Sequence, residues 1–390
     1  MSIRAKLLVA IAASMVALAL ITGALVRAAG ERNARSAAEA AIAAAGQALA
    51  ASERTDVEKL DATLRALAAH PGLAEAFAAR DRTRLLAIAT PIFAALRADH
   101  DVTHFYFIEP EPSKTCFLRV HKPEWSGDVV ERATLAKAIE TKAMGAGKEL
   151  GRTAFALRVV RPWFAANGKL LGYLELGEEI DHFLGRMKGQ TGDDYALLVE
   201  KAFLDEKAWA GTRQGKRNNW NDRLRTVVVD ATTPDETIIE FDRALASVPD
   251  RGLLLDEDAR EGRAFARGIV PVKDAAGRRV GGLFVLHDIT PIHATMLSAR
   301  RSIYVVLVLV AAALGFVLQQ LVNRFVFRRL DAMIGTMEDL SARLAGGEYD
   351  LVAPVPTQPD EIGRFEEFFG RFLQVVAGLL KELTRSKTGT

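Results

Sequence analysis

Polar and aromatic side chains able to hold a small charged molecule gather between His104 and Glu175. Successive residues of a strand face opposite sides. In Thr115–His121 this places Phe117, Arg119 and His121 on one face and Cys116, Leu118 and Val120 on the other. The second face is apolar and reads as core. In Val102–Glu109, His104 and Tyr106 share a face. Trp125, Asp128 and Arg132 follow in a loop and the helix after it. Arg158, Tyr173 and Glu175 lie on the two arms of a later hairpin. The Arg/His face must meet solvent, an acidic partner or a ligand; guanidinium forks suit carboxylates and phosphates, so for a ligand an anionic metabolite is expected. Asp128 and Glu175 would instead hold an amine. A third reading makes Arg119, Arg158, Asp128 and Glu175 structural ion pairs, because an unpaired buried charge is costly.

Other chemistries are poorly supplied. The net charge is +2, and no basic patch or nucleic-acid motif stands out, so DNA binding is not indicated. Cys116 is the one cysteine, which excludes intrachain disulfides, cysteine-rich zinc sites and CxxCH haem attachment. It reads as a small buried apolar residue. His100 and His104 are four apart, but their segment turns into a strand, where that spacing gives no shared helical face. His70, His182, His287 and His293 read as surface or capping residues. No metal site or cofactor is therefore expected. The sequence contains no G-x-S-x-G elbow, HExxH, P-loop or GxGxxG after a strand, so no catalytic residue is assigned and the chain is not expected to be an enzyme.

The elements that position these residues follow from periodicity. Residues 31–97, rich in Ala, Leu, Arg and Glu, predict long helical structure broken near Pro71-Gly72. Val102–Glu109 and Thr115–His121 are short strands, and Val129–Met144 reads as a helix. Phe155–Phe164 and Lys169–Gly177 form a hairpin around Ala165-Ala166-Asn167-Gly168. A short helix follows over Asp181–Gly189. The pattern then recurs. Adding 109 aligns Arg158 with Arg267, Pro162 with Pro271, Gly168 with Gly277, Gly172 with Gly281, Leu174 with Leu283 and Met187 with Met296. Two related α/β modules in tandem are expected, with Glu206–Gly262 not aligned to any element of the first.

Two blocks carry no charge: Leu7–Val26 and Ser302–Asn323, 20 and 22 residues by position. At about 1.5 Å per residue each makes a helix of about 30 Å, the thickness of a bilayer's hydrocarbon core. Helices satisfy their own backbone groups and so can cross lipid. The first block is longer than a signal-peptide core, and Ala28-Ala29-Gly30 is a weak cleavage cue, so an uncleaved anchor is expected. The second is apolar all round from Val305 to Leu318, unlike a buried soluble helix. Arg4 and Lys6 before the first span, and Arg324, Arg328 and Arg329 after the second, predict cytoplasmic tails and an external 28–300. Arg27, Arg300 and Arg301 weaken that bias without reversing it.

Beyond the second span, Leu330, Met333, Met337, Leu340 and Leu344 step by three and four, a heptad seam. Gly346-Gly347 ends that helix. Glu348–Gln358, with Pro354, Pro356 and then Pro359, reads as an extended connector. A second seam runs through Ile362, Phe365, Phe369, Phe372, Val376, Leu379 and Leu383. Residues 324–383 resemble a HAMP signal relay, through Gly347-Glu348-Tyr349-Asp350 and Asp360-Glu361-Ile362-Gly363. Arg328-Arg329-Leu330 lacks the proline often found early in the first HAMP helix. A generic coiled-coil stalk is the alternative, but it needs no connector. The resemblance implies a parallel homodimer.

Residues of about 60–290 resemble a double Cache sensor. The resemblance rests on Phe117-Leu118-Arg119-Val120-His121-Lys122-Pro123-Glu124, then Gly127-Asp128, Arg132, Gly151-Arg152 and Leu171-Gly172-Tyr173-Leu174-Glu175-Leu176-Gly177. It is similar to the variant of sensor kinases and chemoreceptors. It implies an α+β fold of tandem Cache (PAS-like) modules with a long N-terminal helix. The implied order is a cytoplasmic N-terminus (1–6), transmembrane helix 1 (7–26) and an extracytoplasmic sensor (27–300). Within the sensor the membrane-distal module is about 60–190 and the proximal one about 191–290. Transmembrane helix 2 (302–323), HAMP (324–383) and a tail (384–390) complete it. The implied function is a transmembrane receptor in the bacterial inner membrane, its sensor in the periplasm or outside. Cache sensors bind small molecules in the distal module, which makes His104, Tyr106, Phe117, Arg119, His121, Trp125, Asp128, Arg132, Arg158, Tyr173 and Glu175 the candidate ligand residues. The expected output is a cytoplasmic kinase or chemotaxis signalling protein. No kinase, methyl-accepting or cyclase signature precedes Thr390. The alternatives are a membrane-anchored binding adaptor without a switch, or the sensor fragment of a longer kinase, chemoreceptor or diguanylate cyclase.

Overall fold

The computed structural model describes residues 3–151, 155–212, 217–260, 262–350, 352 and 361–388. It divides into two units, Gly30–Met296, and Met1–Ala29 with Leu297–Thr390. Each is taken by itself below.

Three helices open the chain: α1 (Ile3–Ala68), α2 (Pro71–Ala78) and α3 (Arg82–His100). The expected break falls at Pro71. Proline lacks an N–H and is tolerated in the first helical turn, where that donor has no partner anyway. His70 caps α2 by accepting the Leu73 N–H at 3.3 Å, and Asp81 caps α3 by accepting the Arg84 N–H at 2.9 Å.

The first sheet is built from β1 (Val102–Ile108), β2 (Cys116–Arg119), then α4 (Ala133–Thr141), β3 (Gly145–Leu150), β4 (Phe155–Phe164) and β5 (Leu170–Glu179). Its order is β2-β1-β5-β4-β3, antiparallel at every pairing. Strand alternation divides its side chains. Phe105, Phe107, Leu118, Trp163, Leu174 and Leu176 pack against Leu60, Leu64, Phe77 and Phe93 of the three helices. Tyr106, Ile108, Val160 and Tyr173 are covered on the other face by Val130, Leu135 and Ala138. Each large apolar side chain removed from water on either face contributes about 1.5–3 kcal/mol.

The chain continues through α5 (Asp181–Thr191), β6 (Asp194–Glu200), α6 (Glu206–Thr212), β7 (Thr226–Ala231), β8 (Leu253–Arg260), β9 (Arg263–Lys273) and β10 (Arg279–Asp288). The second sheet has the order β7-β6-β10-β9-β8, the topology of the first. Both ends of β5 and β10 differ by 109 residues, as the sequence repeat requires. The turn glycines match too, Gly168 at φ 81° and Gly277 at φ 79°. One face of this sheet packs on Ile42, Ala45 and Leu49 of α1 with Phe183, Leu184 and Met187 of α5. The other lies under Ile238, Ile239, Phe241, Leu245 and Val248.

Three expectations need correction. Strand β3 was not anticipated: the expected elements pass from the helix Val129–Met144 straight to the strand Phe155–Phe164. Gly145 is small for a reason: a Cβ there would lie 2.0 Å from the Thr134 carbonyl oxygen. The predicted helix Val129–Met144 is only α4, since Val129 pairs with Thr115 in a β-bridge. Phe117 does not share a face with Arg119 and His121. A bulge between Phe107 and Ile108 shifts the β1–β2 register, so Cys116 joins Tyr106 and Ile108 while Phe117 packs edge-on against Phe77 at 5.2 Å.

The helix α7 (Thr290–Val322) runs from the Gly30–Met296 unit into the other, where a π-helical turn over Asn323–Phe327, α8 (Arg328–Ala345) and α9 (Glu361–Thr388) follow. Among the described residues, two helices are long and apolar enough to cross a membrane, one within Ala12–Ala68 and one within Thr290–Ala345. In α9, Leu373 and Ala377 are buried, whereas the seam residues Phe365, Phe372, Leu379 and Leu383 are exposed. Most of the proline-containing connector, with Pro354, Pro356, Pro359 and Asp360, lies outside the described residues, as does Arg152.

A backbone hydrogen bond at the β9–β10 turn joins the two sheets, which also share a core through Phe155 and Leu157 of the first and Tyr195 and Leu197 of the second. The Ala275 N–H donates to the Lys148 carbonyl at 2.7 Å. Gly147 (φ 152°) makes room: a Cβ there would meet Ala275 Cβ at 2.8 Å and Cα at 3.1 Å. Gly147→Val is expected to destabilise the fold by about 1–3 kcal/mol, read as a lowered thermal unfolding midpoint, because backbone must move to accept it.

Candidate ligand-binding site

The face of the first sheet turned away from α1 holds the predicted polar residues. Cross-strand pairing aligns them. Tyr106 lies opposite Arg119 on β2 and opposite Glu175 on β5, while Arg158 lies opposite Gly177, which lies opposite His104. Tyr106 is the hub. The guanidinium carbons of Arg132, Arg119 and Arg158 stand 4.7, 5.4 and 5.4 Å from its ring centroid. Such contacts are attractive because the ring face is electronegative.

Two ion-pair systems share this hub. Arg119 forms a two-pronged pair with Asp128 at 2.7 and 2.5 Å and donates to the Trp125 carbonyl at 2.9 Å. Glu175 is fully buried. Its Oε1 accepts from Arg158 at 2.5 Å and also from Arg132, whose other arm reaches the Tyr106 hydroxyl at 3.3 Å. Glu175 Oε2 has no partner among the described residues. Burial alone would raise the Glu175 pKa, but Arg132 and Arg158 outweigh it and hold the carboxyl below its ordinary range.

The two histidines close the cluster. His121 packs edge-on against His104 and Tyr106, at 4.8 and 4.9 Å, and its Nδ1 accepts the Phe105 N–H at 3.3 Å. Burial and the nearby Arg158 press His104 down to about 2 and His121 to about 4, so both are neutral near pH 7. Tyr173 turns outward along the same face, its hydroxyl donating to Glu111 at 2.8 Å.

A cavity of about 500 Å³ opens beside the cluster, lined by Arg132, Glu111, Lys114, Glu131, Leu135 and Ile139 among others. Arg132 belongs to both. Of the predicted residues, the structure brings together His104, Tyr106, Arg119, His121, Asp128, Arg132, Arg158 and Glu175. Tyr173 stands at the Glu111 border. Trp125 is exposed, with Lys122 over its ring at 5.0 Å, and only its carbonyl reaches the cluster. Phe117 is on the helix side, as noted. Sequence reasoning missed Glu111, Lys114 and Glu131. Their signal was proximity: each lies within a few residues of a predicted strand end or of Arg132.

Among the described residues, one group has metal-ligating geometry: Asp56, Glu178 and His182, with ligand atoms within 4.8 Å of one another. Lys59 already bridges Asp56 and Glu178 at 3.1 and 2.8 Å, and Arg186 reaches Asp56 at 3.1 Å. Two cations thus neutralise the two carboxylates.

This fold and polar face define a sensory domain. The chain belongs to the double Cache family: the model for the double sensory domain of two-component sensor kinases matches residues 35–293. Ligand sensing outside the cell is the role of this family, and the tandem sheets are its fold. Among solved structures the chain is similar to the periplasmic domain of Vibrio cholerae LuxQ, at 11% identity, covering 64% of this chain and 99% of that one, TM-score 0.38. It is also similar to the sensory domain of the Campylobacter jejuni chemoreceptor Tlp3 with isoleucine bound, at 11% identity, 69% and 98% coverage and TM-score 0.40. The E. coli DcuS sensor domain is 22% identical, covers 36% of this chain and 98% of its own, and gives a TM-score of 0.29. No curated protein matches the chain.

Two expectations follow. Glu175→Ala leaves the buried Arg158 and the part-buried Arg132 without their counter-charge and is expected to cost about 3–5 kcal/mol in chemical denaturation. Because His104 and His121 titrate lower when folded than unfolded, the unfolded chain binds more protons below pH 6.5. Stability should therefore fall as pH drops from 6.5 towards 4, and His104→Gln should flatten that slope.

Proposed function

We propose that this chain is a transmembrane sensory receptor whose membrane-distal module binds a small anionic molecule over Tyr106. One observation carries the reading. Arg119 is balanced by Asp128, but Arg132 and Arg158 share the single carboxylate of Glu175. The centre of the face thus holds two cations against one anion, and an anionic group from a ligand balances the surplus. Tyr106, His104 and His121 supply a neutral aromatic floor. Asp128, Trp125 and Tyr173 act at the margins, in shaping walls and loops.

In this reading residues 7–26 and 302–323 span the inner membrane, and 27–300 is extracytoplasmic. Ligand shifts the sensor between two conformations by its differential affinity for them, about 1.4 kcal/mol for each factor of ten. The helix beginning at Thr290 is continuous to Val322 and provides the path inward. Residues 324–383 act as a HAMP relay, dimerising through the exposed Phe365, Phe372, Leu379 and Leu383. Output passes to a cytoplasmic kinase or chemotaxis protein. The acids Glu111, Glu131 and Glu140 around the cavity favour a second reading, an amine ligand.

The test is a thermal-shift titration of the full chain in lipid nanodiscs with citrate, inorganic phosphate and cadaverine. The proposal predicts that an anion raises the unfolding midpoint, and that Arg132→Ala weakens its binding about tenfold or more. Stabilisation by cadaverine, lost in Glu131→Gln and retained in Arg132→Ala, would replace the anion reading with the amine one.

A further inference from the structure

The face of the second sheet that repeats the Tyr106 face also carries a cavity. The offset of 109 places Arg267 at the position of Arg158 and Phe284 at that of Glu175. Phe284 is buried under Ile239 and Phe241, so the centre of this face is apolar where the first is charged. Arg267 is 8% exposed and is held by Asp256 at 2.7 and 2.8 Å, with Glu240 at 3.4 Å. Beside it lies a cavity of about 520 Å³, walled by Arg223, Glu236, Ile239, Phe241 and Asp242 among others.

The charges on this wall are incompletely matched. Arg223 is 9% exposed. Its Nε and Nη2 donate to the carbonyls of Ile239 and Glu236 at 2.7 and 2.6 Å, but Nη1 has no partner among the described residues. No carboxylate lies within ion-pair distance of it among those residues. Burial accordingly pulls the Arg223 pKa down, against the raising effect of Glu236 and Asp222. On the acidic side, Asp222 pairs with Arg217 and Glu240 with Arg267. Glu236 has only the Asn219 amide, at 3.3 Å, and neither it nor Asp242 forms an ion pair among the described residues. A buried guanidinium that wants an anion therefore faces carboxylates that want a cation, across an aliphatic and aromatic wall.

From this juxtaposition we propose that the second module has its own ligand site, which takes a small zwitterion with an apolar body. Its carboxylate answers Arg223 Nη1, its ammonium answers Glu236 and Asp242, and its apolar part packs on Ile239 and Phe241. A purely anionic ligand would meet the two carboxylates, and a purely cationic one would meet Arg223; both are disfavoured. The site is separate from the one around Tyr106 and does not depend on it.

The test is isothermal titration of the full chain in nanodiscs with three probes sharing one apolar body: L-phenylalanine, 3-phenylpropanoate and 2-phenylethylamine. Phenylalanine should bind, in the parent and equally in the Arg132→Ala background, and each singly charged probe should bind about tenfold or more weakly. Asp242 is exposed, so Asp242→Asn should keep the parent's unfolding midpoint while weakening phenylalanine about tenfold. Arg223→Lys should weaken it as well, and Asp242→Asn keeps the test valid if that variant fails to fold. No phenylalanine binding, equal binding of 3-phenylpropanoate, or binding lost with Arg132→Ala but kept with Asp242→Asn would each overturn the proposal.

Discussion

A carboxylate with no access to water sits on the central strand of the first sheet, and the arrangement around it follows from that fact. A buried charge is tolerated only when opposite charge and hydrogen-bond donors surround it. Glu175 obtains both from Arg132, just before α4, and from Arg158, on β4. Meeting that requirement pins the start of α4 over the sheet. It also brings Arg132 against the Tyr106 ring and leaves the cavity at its outer side. The same constraint explains why the two histidines are neutral: with three guanidinium groups nearby, a further cation in a buried place is unfavourable.

The second module shows what happens when the constraint is lifted. Its central strand carries Phe284 where the first carries Glu175, and its counterpart to Arg158 turns to Asp256 instead. The apolar face then closes under Ile238, Ile239 and Phe241. One topology thus supports a charged centre in one copy and an apolar centre in the other. The turn at Ala275, hydrogen-bonded to Lys148 beside Gly147, ties the second copy to the edge of the first. Gly147 lies opposite Arg158 in the strand ladder, so this contact is one residue pair from the buried ion cluster.

Much of this was legible in the sequence, for identifiable reasons. The β4–β5 hairpin and its repeat were readable because Asn167-Gly168 and the glycines and prolines at constant spacing fix turns locally. The break at Pro71 was readable from proline chemistry alone. Arg119, Arg158 and Glu175 stood out as charges set in apolar strands, where a charge needs a partner, and Arg132 as a charge close behind them in the chain. What stayed hidden was set by distant parts of the chain. The bulge at Phe107–Ile108 depends on how β1 meets β2, and it moved Phe117 to the other side. Strand β3 depends on Gly145 fitting beneath the Thr134 carbonyl, which glycine composition cannot announce. The unmatched Arg223 and the cavity beside it come from the loops on either side of β7, between α6 and β7 and between β7 and β8, where no periodic signal exists.

The central claim is that Glu175 stays ionised inside the protein and thereby fixes Arg132 and Arg158 over Tyr106. Infrared difference spectroscopy comparing the parent with Glu175→Gln, with the glutamates carbon-13 labelled, reads that state directly. The account predicts that the band lost in the variant is a carboxylate stretch, and that it persists on acidification to the lower edge of the ordinary carboxyl range. A protonated carboxyl band at neutral pH, assigned to the same residue, would contradict it.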